Sequence, residues 1–327
     1  MNMDFKNKKI LITGGTGTFG KAFLKYLQTL KSNQPKKIVI YARDEHKFND
    51  MLNANLVSKN TRLLIGDVRD QQRLELATSG IDIVIHAAAL KHVIFAEYNP
   101  MEAISTNIFG SNNLINACIK NKVKKCMLVS TDKAVNPINL YGSTKLCAEK
   151  IFIASNNLSA GKTKFSVVRY GNVLGSRGSL VEKLKEAKIN KEKTFGITDK
   201  KMTRFWISIE DAVKFVAKSI SSMDGGEIFI PKMKSMEILN CIKTILPNAK
   251  IIDIGIKPGE KIHEKLIHSE TKNIYEFNNH YIILPEFKFW TKQKYKNLGK
   301  KIKGEFEYSS NTNKFWIKGE ELARKVL

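Results

Sequence analysis

The architecture of the chain is indicated most clearly by KILITGGTGTFG, at residues 9–20. Residues 9–13 form a short apolar run typical of a buried strand, and apolar side chains recur at helical spacing after the glycines. Gly14, Gly17 and Gly20 lie between the two patterns, where glycine lets the backbone turn tightly and approach a pyrophosphate at a helix N-terminus. A glycine motif in this position predicts a dinucleotide site. We expect that site to be formed by Gly14, Thr16, Gly17, Thr18, Phe19 and Gly20.

Strand and helix patterns continue to alternate through the first half of the chain. Further apolar runs follow, separated by helical patterns, at residues 37–42, 62–65, 82–86, 126–129 and 165–168. This alternation predicts an α/β fold with a doubly wound parallel Rossmann sheet. Beyond residue 172 the pattern loosens and indicates a smaller mixed α/β C-terminal lobe. We expect a dinucleotide-binding domain at residues 1–172, with residues 207–230 packing back on it, and a substrate lobe at residues 173–206 and 231–327.

The net charge of +24 raises the question of nucleic-acid binding. The basic residues are 47 lysines and 8 arginines, scattered singly rather than clustered. Proteins that read nucleic acid rely on arginine and interleaved aromatic residues. We therefore expect no nucleic-acid partner, and a positive field that favours an anionic, phosphate-bearing substrate.

Apolar patterning and cysteine usage bear on where the protein works. No apolar run approaches the roughly 20 residues that a membrane span needs, and residues 1–6 lack the apolar stretch of a signal peptide. The 4 cysteines have no metal-type spacing and mostly fall in apolar segments. We expect a reduced, cytoplasmic enzyme with no metal site and no membrane segment.

The residues after the second strand choose between NAD and NADP in dinucleotide enzymes. An acidic residue there binds the ribose 2′-hydroxyl, whereas arginine or lysine binds a 2′-phosphate, and this chain has both kinds. Asp44 lies where a helix N-cap is expected, which gives it a structural task. Arg43 and Lys47 have no such task, so we favour NADP and leave NAD open. The candidate ribose contacts are Arg43, Asp44 and Lys47.

The next two strand ends supply further candidate contacts. Asp67 is placed to accept a hydrogen bond from the adenine amine while Val68 covers the ring, although Asp67 could instead cap a turn. His86 continues the apolar run of its strand and is expected to be a packed histidine, whereas Lys91 is better placed to meet substrate. Small side chains between them would let a flat cofactor lie against the backbone at Ala87, Ala88 and Ala89.

A second informative stretch is VSTDKAVNPINLYGSTK, at residues 129–145. Tyr141 and Lys145 lie four apart, on one face of the helix that follows the turn. A tyrosine with a pKa of about 10 is a poor base at neutral pH, but a nearby lysine and a nicotinamide cation would stabilise its phenolate. After a glycine motif, the pair predicts oxidation of an alcohol beside nicotinamide rather than two exposed helix residues. Ser130 is expected to contact the cofactor with them.

Asp132 and Lys133 exceed what alcohol oxidation requires. A ketone at one sugar carbon acidifies the neighbouring C–H, so a neutral lysine could remove that proton and a protonated carboxyl could donate to a leaving hydroxyl. We expect Lys145 and the cofactor's charge to lower the pKa of Lys133, as such a base requires. An ion pair at a surface turn is the alternative. The predicted catalytic group is Thr131, Asp132, Lys133, Tyr141 and Lys145.

Two polar clusters in the C-terminal part are candidates for gripping a diphosphate, at residues 201–206 and 257–261. The first could instead be a solvated turn beside a packed Trp206. Both interpretations of residues 201–206, a diphosphate contact and a solvated turn, stay open.

Together these motifs resemble those of extended short-chain dehydrogenases/reductases, and most closely the inverting UDP-N-acetylglucosamine 4,6-dehydratases. The resemblance spans nearly the whole chain. It rests on the glycine loop at 13–20, ARDE at 42–45, GDVRD at 66–70, HAAALKH at 86–92, STDKAVNPINLYG at 130–142, RYGNV at 169–173, TRFWI at 203–207 and PGEK at 258–261. The block at 130–142 is specific, whereas the glycine loop is shared by the whole superfamily.

The resemblance implies a reaction and a role for each site residue. Tightly bound NADP, recycled within each turnover, would take hydride from the sugar's C4, with Tyr141 as base and Lys145 supporting it. Lys133 would remove the C5 proton and Asp132 would protonate the departing C6 hydroxyl, before hydride returns to C6 and C5 is reprotonated from the opposite face. The L-arabino 4-keto product would begin a pseudaminic acid-type pathway. The UDP-sugar would be held by Lys91, Asn172, Arg204, Lys257 and Glu260.

The resemblance also leaves open points. Lys257 stands where arginine is usual, which loses a bidentate grip on phosphate. Retaining dehydratases have Asp-Glu where this chain has Asp132-Lys133, so Lys133 argues for inversion. A retaining nucleotide-sugar 4,6-dehydratase or a 4-epimerase stays an alternative, as does a non-catalytic, NADP-sensing binding protein. The family resemblance implies a homo-oligomer, a hexamer.

Overall fold

A computed structural model describes residues 5–287 and 299–326 of the chain. Its strands are β1 Lys9–Thr13, β2 Lys37–Ala42, β3 Thr61–Ile65, β4 Ile83–His86, β5 Lys125–Thr131, β6 Lys164–Tyr170, β7 Asn172–Val173, β8 Thr194–Ile197, β9 Thr203–Ile207, β10 Ile228–Pro231, β11 Lys234–Glu237, β12 Lys250–Asp253, β13 Lys265–Ile267, β14 Ile274–Glu276, β15 His280–Ile283, β16 Lys300–Lys301 and β17 Tyr308–Ser309. Its α-helices are α1 Thr18–Thr29, α2 Glu45–Asn53, α3 Gln71–Thr78, α4 Val93–Tyr98, α5 Pro100–Ile104, α6 Gly110–Lys120, α7 Leu140–Leu158, α8 Leu180–Ile189, α9 Ile209–Ser222, α10 Ile238–Ile245 and α11 Gly319–Val326.

A 10-stranded sheet lies at the centre, in the order β16-β14-β15-β10-β6-β5-β4-β1-β2-β3. The strands from β3 to β10 in this order run parallel, and the remaining three are antiparallel additions at one edge. Among the helices that contact one another, α1 contacts α9, and α6 contacts α3 and α7. The predicted doubly wound Rossmann sheet is confirmed. Because these strands are parallel, the chain leaves β1, β2, β4 and β5 at the same edge.

Three apolar clusters lie in the described part of the chain. The largest surrounds the main sheet, and the second is built from side chains such as Leu174, Trp206, Ile242 and Leu322. The third is a small group that includes Tyr141. The buried side chains of the second cluster all belong to residues predicted to form the substrate lobe. Within the stretch predicted to form that lobe, residues 274–283 instead belong to the main sheet, because β15 pairs with β10 and its side chains pack in the largest cluster. The division into two domains stays a prediction.

The helical region after β4 is interrupted. Its sequence pattern reads as one long helix from residue 99 to residue 121, but the structure has α5, a π-helical turn at Ser105–Phe109 and then α6. Such π turns occur often at functional sites, because they redirect side chains within a helix. Here the turn carries Asn107 towards the loop that follows β4.

The described residues also bear on membrane, metal and disulfide features. Across residues 5–287 and 299–326, no helix is both long and apolar enough to cross a membrane. The same residues contain no cluster of His, Cys, Asp and Glu that could hold a metal ion. All 4 cysteines are free thiols, and three of them are buried.

Candidate active site

The glycine loop joins β1 to α1 at the carboxyl edge of the sheet. Gly14 has a φ of +67°, and a Cβ there would lie 2.7 Å from the backbone nitrogen of Ala88, so only glycine fits. Gly17 directly precedes α1, whose first N–H groups have no helical partner and suit a phosphate. Thr16 is buried in the loop, and Phe19 packs on Phe23. The loop therefore has a geometry that suits a dinucleotide pyrophosphate, and the cofactor contacts of its residues stay predictions.

The backbone of Arg177 is held beside the glycine loop by hydrogen bonds with Thr18 and Lys91. The backbone N–H of Arg177 donates a 3.3 Å hydrogen bond to the Thr18 hydroxyl, and Lys91 Nζ donates a 2.7 Å bond to the Arg177 carbonyl. Burial lowers the pKa of Lys91. The structure thus brings Thr18 and Lys91 together beside the glycine loop. Their cofactor and substrate contacts stay predictions.

The end of β2 presents both charge types considered for the ribose. Asp44 Oδ1 accepts a 3.2 Å hydrogen bond from the Lys47 backbone, and its Oδ2 lies 2.6 Å from Lys47 Nζ. These hydrogen bonds lower the pKa of Asp44. The N-cap predicted at Asp44 is confirmed. Arg43 keeps 55% of its side chain exposed and lies 3.5 Å from Asp67, so it is the more available group for an incoming anion.

Asp67 closes the turn after β3. Its Oδ2 accepts hydrogen bonds of 3.0 and 2.7 Å from the Arg69 guanidinium, and its Oδ1 accepts a 2.9 Å bond from the Arg69 backbone. Burial acts to raise the pKa of Asp67, but the bonds from Arg69 outweigh it and lower the value. The structural task left open for Asp67 is therefore present. The adenine contacts of Asp67 and the buried Val68 stay predictions.

His86 is a packed histidine, as predicted. Its Nδ1 lies 2.7 Å from the Thr13 hydroxyl and its Nε2 lies 3.1 Å from the Ser111 hydroxyl. The ring stacks on Phe152, with centroids 5.8 Å apart. Burial lowers the pKa of His86 to about 3, so the ring stays neutral.

The small residues after His86 pass directly beside the glycine loop. The loop that they begin is held by Asn107, which accepts a 2.8 Å hydrogen bond from the Leu90 N–H and donates 3.0 Å bonds to the Leu90 carbonyl and the Thr144 hydroxyl. Asn107 therefore links this loop to α7. Contacts with a flat cofactor stay predictions for the candidate residues Ala87, Ala88 and Ala89.

Tyr141 and Lys145 lie one turn apart on α7, and both are buried. Lys145 Nζ donates a 2.9 Å hydrogen bond to the Val129 carbonyl of β5. Burial lowers the pKa of Lys145 to about 8, against the opposing effect of Glu149. Burial raises the pKa of Tyr141 to about 12, although Lys133 and a hydrogen bond with Thr131 act in the other direction. Tyr141 therefore needs a further positive charge nearby to act as a base at neutral pH.

Ser130 takes part in a network behind α7. Its hydroxyl donates a 2.5 Å hydrogen bond to Glu149 Oε1, and Glu149 Oε2 lies 2.5 Å from the Arg169 guanidinium. Arg169 also donates a 2.9 Å bond to the Leu266 carbonyl. The network ties β5, β6 and α7 together. The predicted cofactor contact of Ser130 stays a prediction.

A short helical turn at Asp132–Ala134 follows β5 and carries the second pair of charges. Asp132 Oδ1 accepts a 3.0 Å hydrogen bond from the Thr131 hydroxyl and lies 3.1 Å from Lys133 Nζ. Asp132 is fully buried, whereas Lys133 exposes 23% of its side chain. Asp132 Oδ2 has no hydrogen-bond partner among the described residues. The pair therefore presents a lysine to the cleft with a buried carboxyl beside it.

Glu264 is the site residue that sequence reasoning missed. Its Oε1 lies 3.2 Å from Lys133 Nζ, so the lysine contacts two carboxylates. Burial acts to lower the pKa of Lys133, but Asp132 and Glu264 outweigh it and raise the value above that of an ordinary lysine. The lowering of the Lys133 pKa expected from Lys145 and the cofactor's charge is therefore wrong for the structure, because two carboxylates contact the lysine. Burial raises the pKa of Asp132, against the opposing effect of Lys133.

Arg204 lies on the far side of Glu264. Its Nε is 3.9 Å from Glu264 Oε1, while its terminal nitrogens donate bonds of 2.8 to 3.0 Å to the carbonyls of Thr203, Lys261 and Ile262. The guanidinium thus braces the segment that carries Glu264. The predicted diphosphate contact of Arg204 stays a prediction.

The remaining substrate candidates lie on two segments near the turn. Asn172 begins β7 and pairs with Trp206 of β9. Glu260 Oε2 accepts a 3.4 Å hydrogen bond from the Lys257 backbone, within a loop whose Gly259 carbonyl accepts a 2.8 Å bond from Asn139. Because Asn139 directly precedes α7, this loop is fixed close to the helix that carries Tyr141. Substrate contacts of Asn172, Lys257 and Glu260 stay predictions.

Several known proteins are similar to this chain. A family model described as polysaccharide biosynthesis protein matches residues 10–285. A UDP-N-acetylglucosamine 4,6-dehydratase (inverting) from Campylobacter jejuni is 50% identical over 329 residues, which cover 97% of each protein. A UDP-glucose 4-epimerase from Rickettsia canadensis is 42% identical over 81% of this chain and 79% of its own length. The X-ray structure of Pen from Bacillus thuringiensis is 35% identical, with a TM-score of 0.88 over 99% of this chain and 98% of that one.

Proposed function

The chain belongs to the polysaccharide biosynthesis protein family of extended short-chain dehydrogenases/reductases, among the inverting UDP-N-acetylglucosamine 4,6-dehydratases, and on that premise we propose that it performs their reaction. The reaction comprises oxidation at C4 of UDP-N-acetylglucosamine, loss of water across C5 and C6, reduction at C6 and inversion at C5. In enzyme terms the chain would be a hydro-lyase. The supporting observation is the placement of Lys133, with buried Asp132, at the strand end that leads into Tyr141 and Lys145.

Tyr141 and Lys145 carry the oxidation half of the proposal. A nicotinamide dinucleotide bound at the glycine loop would supply the redox chemistry at C4 and at C6. Tyr141 would accept the proton of the C4 hydroxyl. Lys145, fixed to the Val129 carbonyl, would stabilise the resulting phenolate. Burial, as the largest effect, raises the pKa of Tyr141 to about 12, so the step would need the positive charges of Lys145 and of the bound cofactor to lower it.

Asp132 and Lys133 carry the dehydration half. With a ketone at C4, Lys133 would take the C5 proton, and Asp132 would give its proton to the departing C6 hydroxyl, which leaves as water. Burial raises the pKa of Asp132, which is the direction that a proton donor needs. Return of a proton to C5 from the opposite face would invert that carbon. Thr131 would position Asp132 through its 3.0 Å hydrogen bond.

NADP is the cofactor that we propose, tightly bound and recycled in each turnover. Support comes from Arg43, whose exposed guanidinium stands at the end of β2, whereas the Asp44 carboxylate is engaged by Lys47. Lysine at position 257 offers a single charge to the substrate diphosphate rather than a fork of donors. The UDP-sugar would otherwise meet Lys91, Asn172, Arg204 and Glu260.

The proposal also extends to the protein's setting. The 4 free thiols suit a reducing compartment, in agreement with a cytoplasmic enzyme. We propose a homo-oligomer, a hexamer, on the family resemblance. The product would enter a pseudaminic acid-type pathway.

The product's mass tests the reaction. Purified protein is incubated with UDP-N-acetylglucosamine and NADP, and the molecular mass of the nucleotide sugar is measured by mass spectrometry. The proposal expects a product lighter by one water, with no net change in the cofactor. A Tyr141→Phe variant serves as the matched inactive control.

A 4-epimerase is the second candidate, because the relative from Rickettsia canadensis is 42% identical. Its product would keep the substrate's mass and differ only at C4. No conversion at all, with unchanged cofactor, would instead indicate a binding protein and would overturn the proposed activity.

A further inference from the structure

Glu264 reaches the Asp132–Lys133 pair from a segment far away in the sequence. It lies just before β13, and Ser310 fixes its backbone on both sides. The Glu264 N–H donates a 3.0 Å hydrogen bond to the Ser310 hydroxyl, and the Ser310 N–H donates a 2.9 Å bond to the Glu264 carbonyl. The carboxylate is therefore held in place by the fold rather than by the lysine that it contacts.

The charges around Glu264 come from every segment that packs against it. Lys133 Nζ lies 3.2 Å from its Oε1, and Arg204 Nε lies 3.9 Å from the same oxygen. Lys261 Nζ lies 3.8 Å from Oε2, an atom without a hydrogen-bond partner in residues 5–287 and 299–326. Asp132 adds a like charge across Lys133. Glu264 is thus a buried anion shared by three cations, of which Lys133 alone also contacts Asp132.

We propose that Glu264 is a positioning residue for dehydration, which holds Lys133 against Asp132 and keeps one proton on that pair while a sugar is bound. The inference rests on the proposed function for its chemistry. The contact itself is observed in the structure, where Lys133 Nζ lies 3.1 Å from an Asp132 oxygen and 3.2 Å from a Glu264 oxygen.

The retained proton matters because dehydration uses it. A proton passes from Lys133 Nζ to Asp132, which leaves a neutral amine beside a protonated carboxyl. The amine then takes the C5 proton, the C5–H electrons form the C5=C6 bond, and the C6–O bond breaks as Asp132 protonates the leaving oxygen. One water departs, and the pair again holds one proton, now as ammonium and carboxylate. A pair that had lost its proton to solvent could not start this sequence.

The Glu264 charge opposes that loss. If the pair lost its proton, Asp132 and Glu264 would be two buried carboxylates with a neutral amine between them, an arrangement that burial disfavours strongly. The negative charge of Glu264 accordingly raises the pKa of both Lys133 and Asp132. Removing that charge while keeping the side chain's shape should let the pair release its proton at lower pH.

The test measures the reactivity of Lys133 itself. Wild-type protein and E264Q are labelled with trace acetic anhydride across a range of alkaline pH, and acetylation of Lys133 is followed by peptide mass spectrometry. A charge within about 4–6 Å shifts a pKa by about 1–3 units, so Lys133 of E264Q should react about tenfold faster or more at about pH 9. E227Q is the matched control, because Glu227 is equally buried and is bound by Ser166 and backbone N–H groups away from the site.

The role of Glu264 and the proposed reaction can each fail without the other. Labelling needs no substrate, so it decides the role of Glu264 even if UDP-N-acetylglucosamine is not converted. Equal labelling of Lys133 in wild type, E264Q and E227Q overturns the inference. Should E264Q fail to fold, E264D decides, since a shorter side chain withdraws the carboxylate and should give a smaller increase in the same direction. In turnover assays, the alkaline limb of the E264Q profile should move to lower pH by at least about one unit, and that of E227Q should stay in place.

Discussion

Lys145 Nζ donates a 2.9 Å hydrogen bond to the carbonyl oxygen of Val129. This bond fixes a lysine of α7 to the strand that precedes it, so the helix and the end of β5 are held as one unit. Tyr141, one turn earlier on α7, faces the turn that carries Asp132 and Lys133. The two halves of the proposed chemistry are thus positioned by one strand end rather than by separate flexible loops.

Replacing Tyr141 with Phe should stop oxidation at C4. The variant lacks the base, and general-base contributions amount to about 10²–10⁴-fold in rate. A single-turnover experiment that follows reduced-cofactor absorbance should show a loss of that order. Tyr308→Phe is the control, because it removes another buried hydroxyl, bound to Met233, without touching the site. Equal rates in Tyr141→Phe and wild type would remove Tyr141 from the mechanism.

Replacing Lys133 with Met should separate oxidation from dehydration. Tyr141 and Lys145 stay in place, so the sugar should be oxidised at C4 and then accumulate as a ketone, with the cofactor left reduced. Stability should also fall by a few kcal/mol, because loss of one partner of a buried ion pair costs about 3–5 kcal/mol and Lys133 is partly solvated. Lys232→Met, which breaks a 2.7 Å pair with Glu276 elsewhere, should leave turnover unchanged. Normal water loss by Lys133→Met would contradict the assignment.

Replacing Arg43 with Ala should weaken binding of NADP and spare NAD. Hydrogen bonds to a charged group contribute about 1.5–3 kcal/mol, which corresponds to a loss of about 10–100-fold in affinity. Calorimetric titration of the purified protein with each cofactor measures the two affinities. Arg62→Ala makes the same charge change near the opposite end of the neighbouring strand β3 and should alter neither. If Arg43→Ala weakens both cofactors equally, or if wild type prefers NAD, the choice of NADP is wrong.

His86 should make the fold sensitive to acid. Burial lowers its pKa to about 3, whereas an unfolded histidine takes a proton at about pH 6.5. Between these values the unfolded state binds more protons, so stability falls as the pH falls. At 1.36 kcal/mol per unit, the loss is about 1 kcal/mol by pH 5.5.

Urea unfolding between pH 7 and about pH 5 tests this slope. His86→Asn should flatten the slope, whatever its effect on stability at pH 7. His46→Gln, at an exposed position on α2, should retain the wild-type slope. An unchanged slope in His86→Asn would assign the acid sensitivity to other groups.

Local patterns predicted the parallel sheet because each buried strand is itself a short apolar run. The turn at Gly14 is predicted for the same reason, since strand, glycine and helix follow one another directly. The helix N-cap at Asp44 is predicted from its place directly before α2. These features depend on neighbours within a few residues, and the structure confirms them.

Contacts between distant segments cannot be predicted from local sequence patterns. Nothing in the sequence around Glu264 marks it as a partner of Lys133, and the direction of the Lys133 pKa was therefore predicted wrongly. Similarly, β15 returns to the main sheet because of its pairing with β10, which no local pattern specifies. The π-helical turn that contains Asn107 is accompanied by hydrogen bonds to Leu90, a contact that helix periodicity does not indicate.

The most direct test of the proposed function is the reaction of UDP-N-acetylglucosamine in deuterated water, followed by NMR of the product. Proton removal by Lys133 and return of a proton to the opposite face predict deuterium at C5, inverted configuration at that carbon and a 6-deoxy-4-keto sugar. A product without deuterium at C5 would contradict the account, because no proton would then have been exchanged at the carbon on which Lys133 is proposed to act.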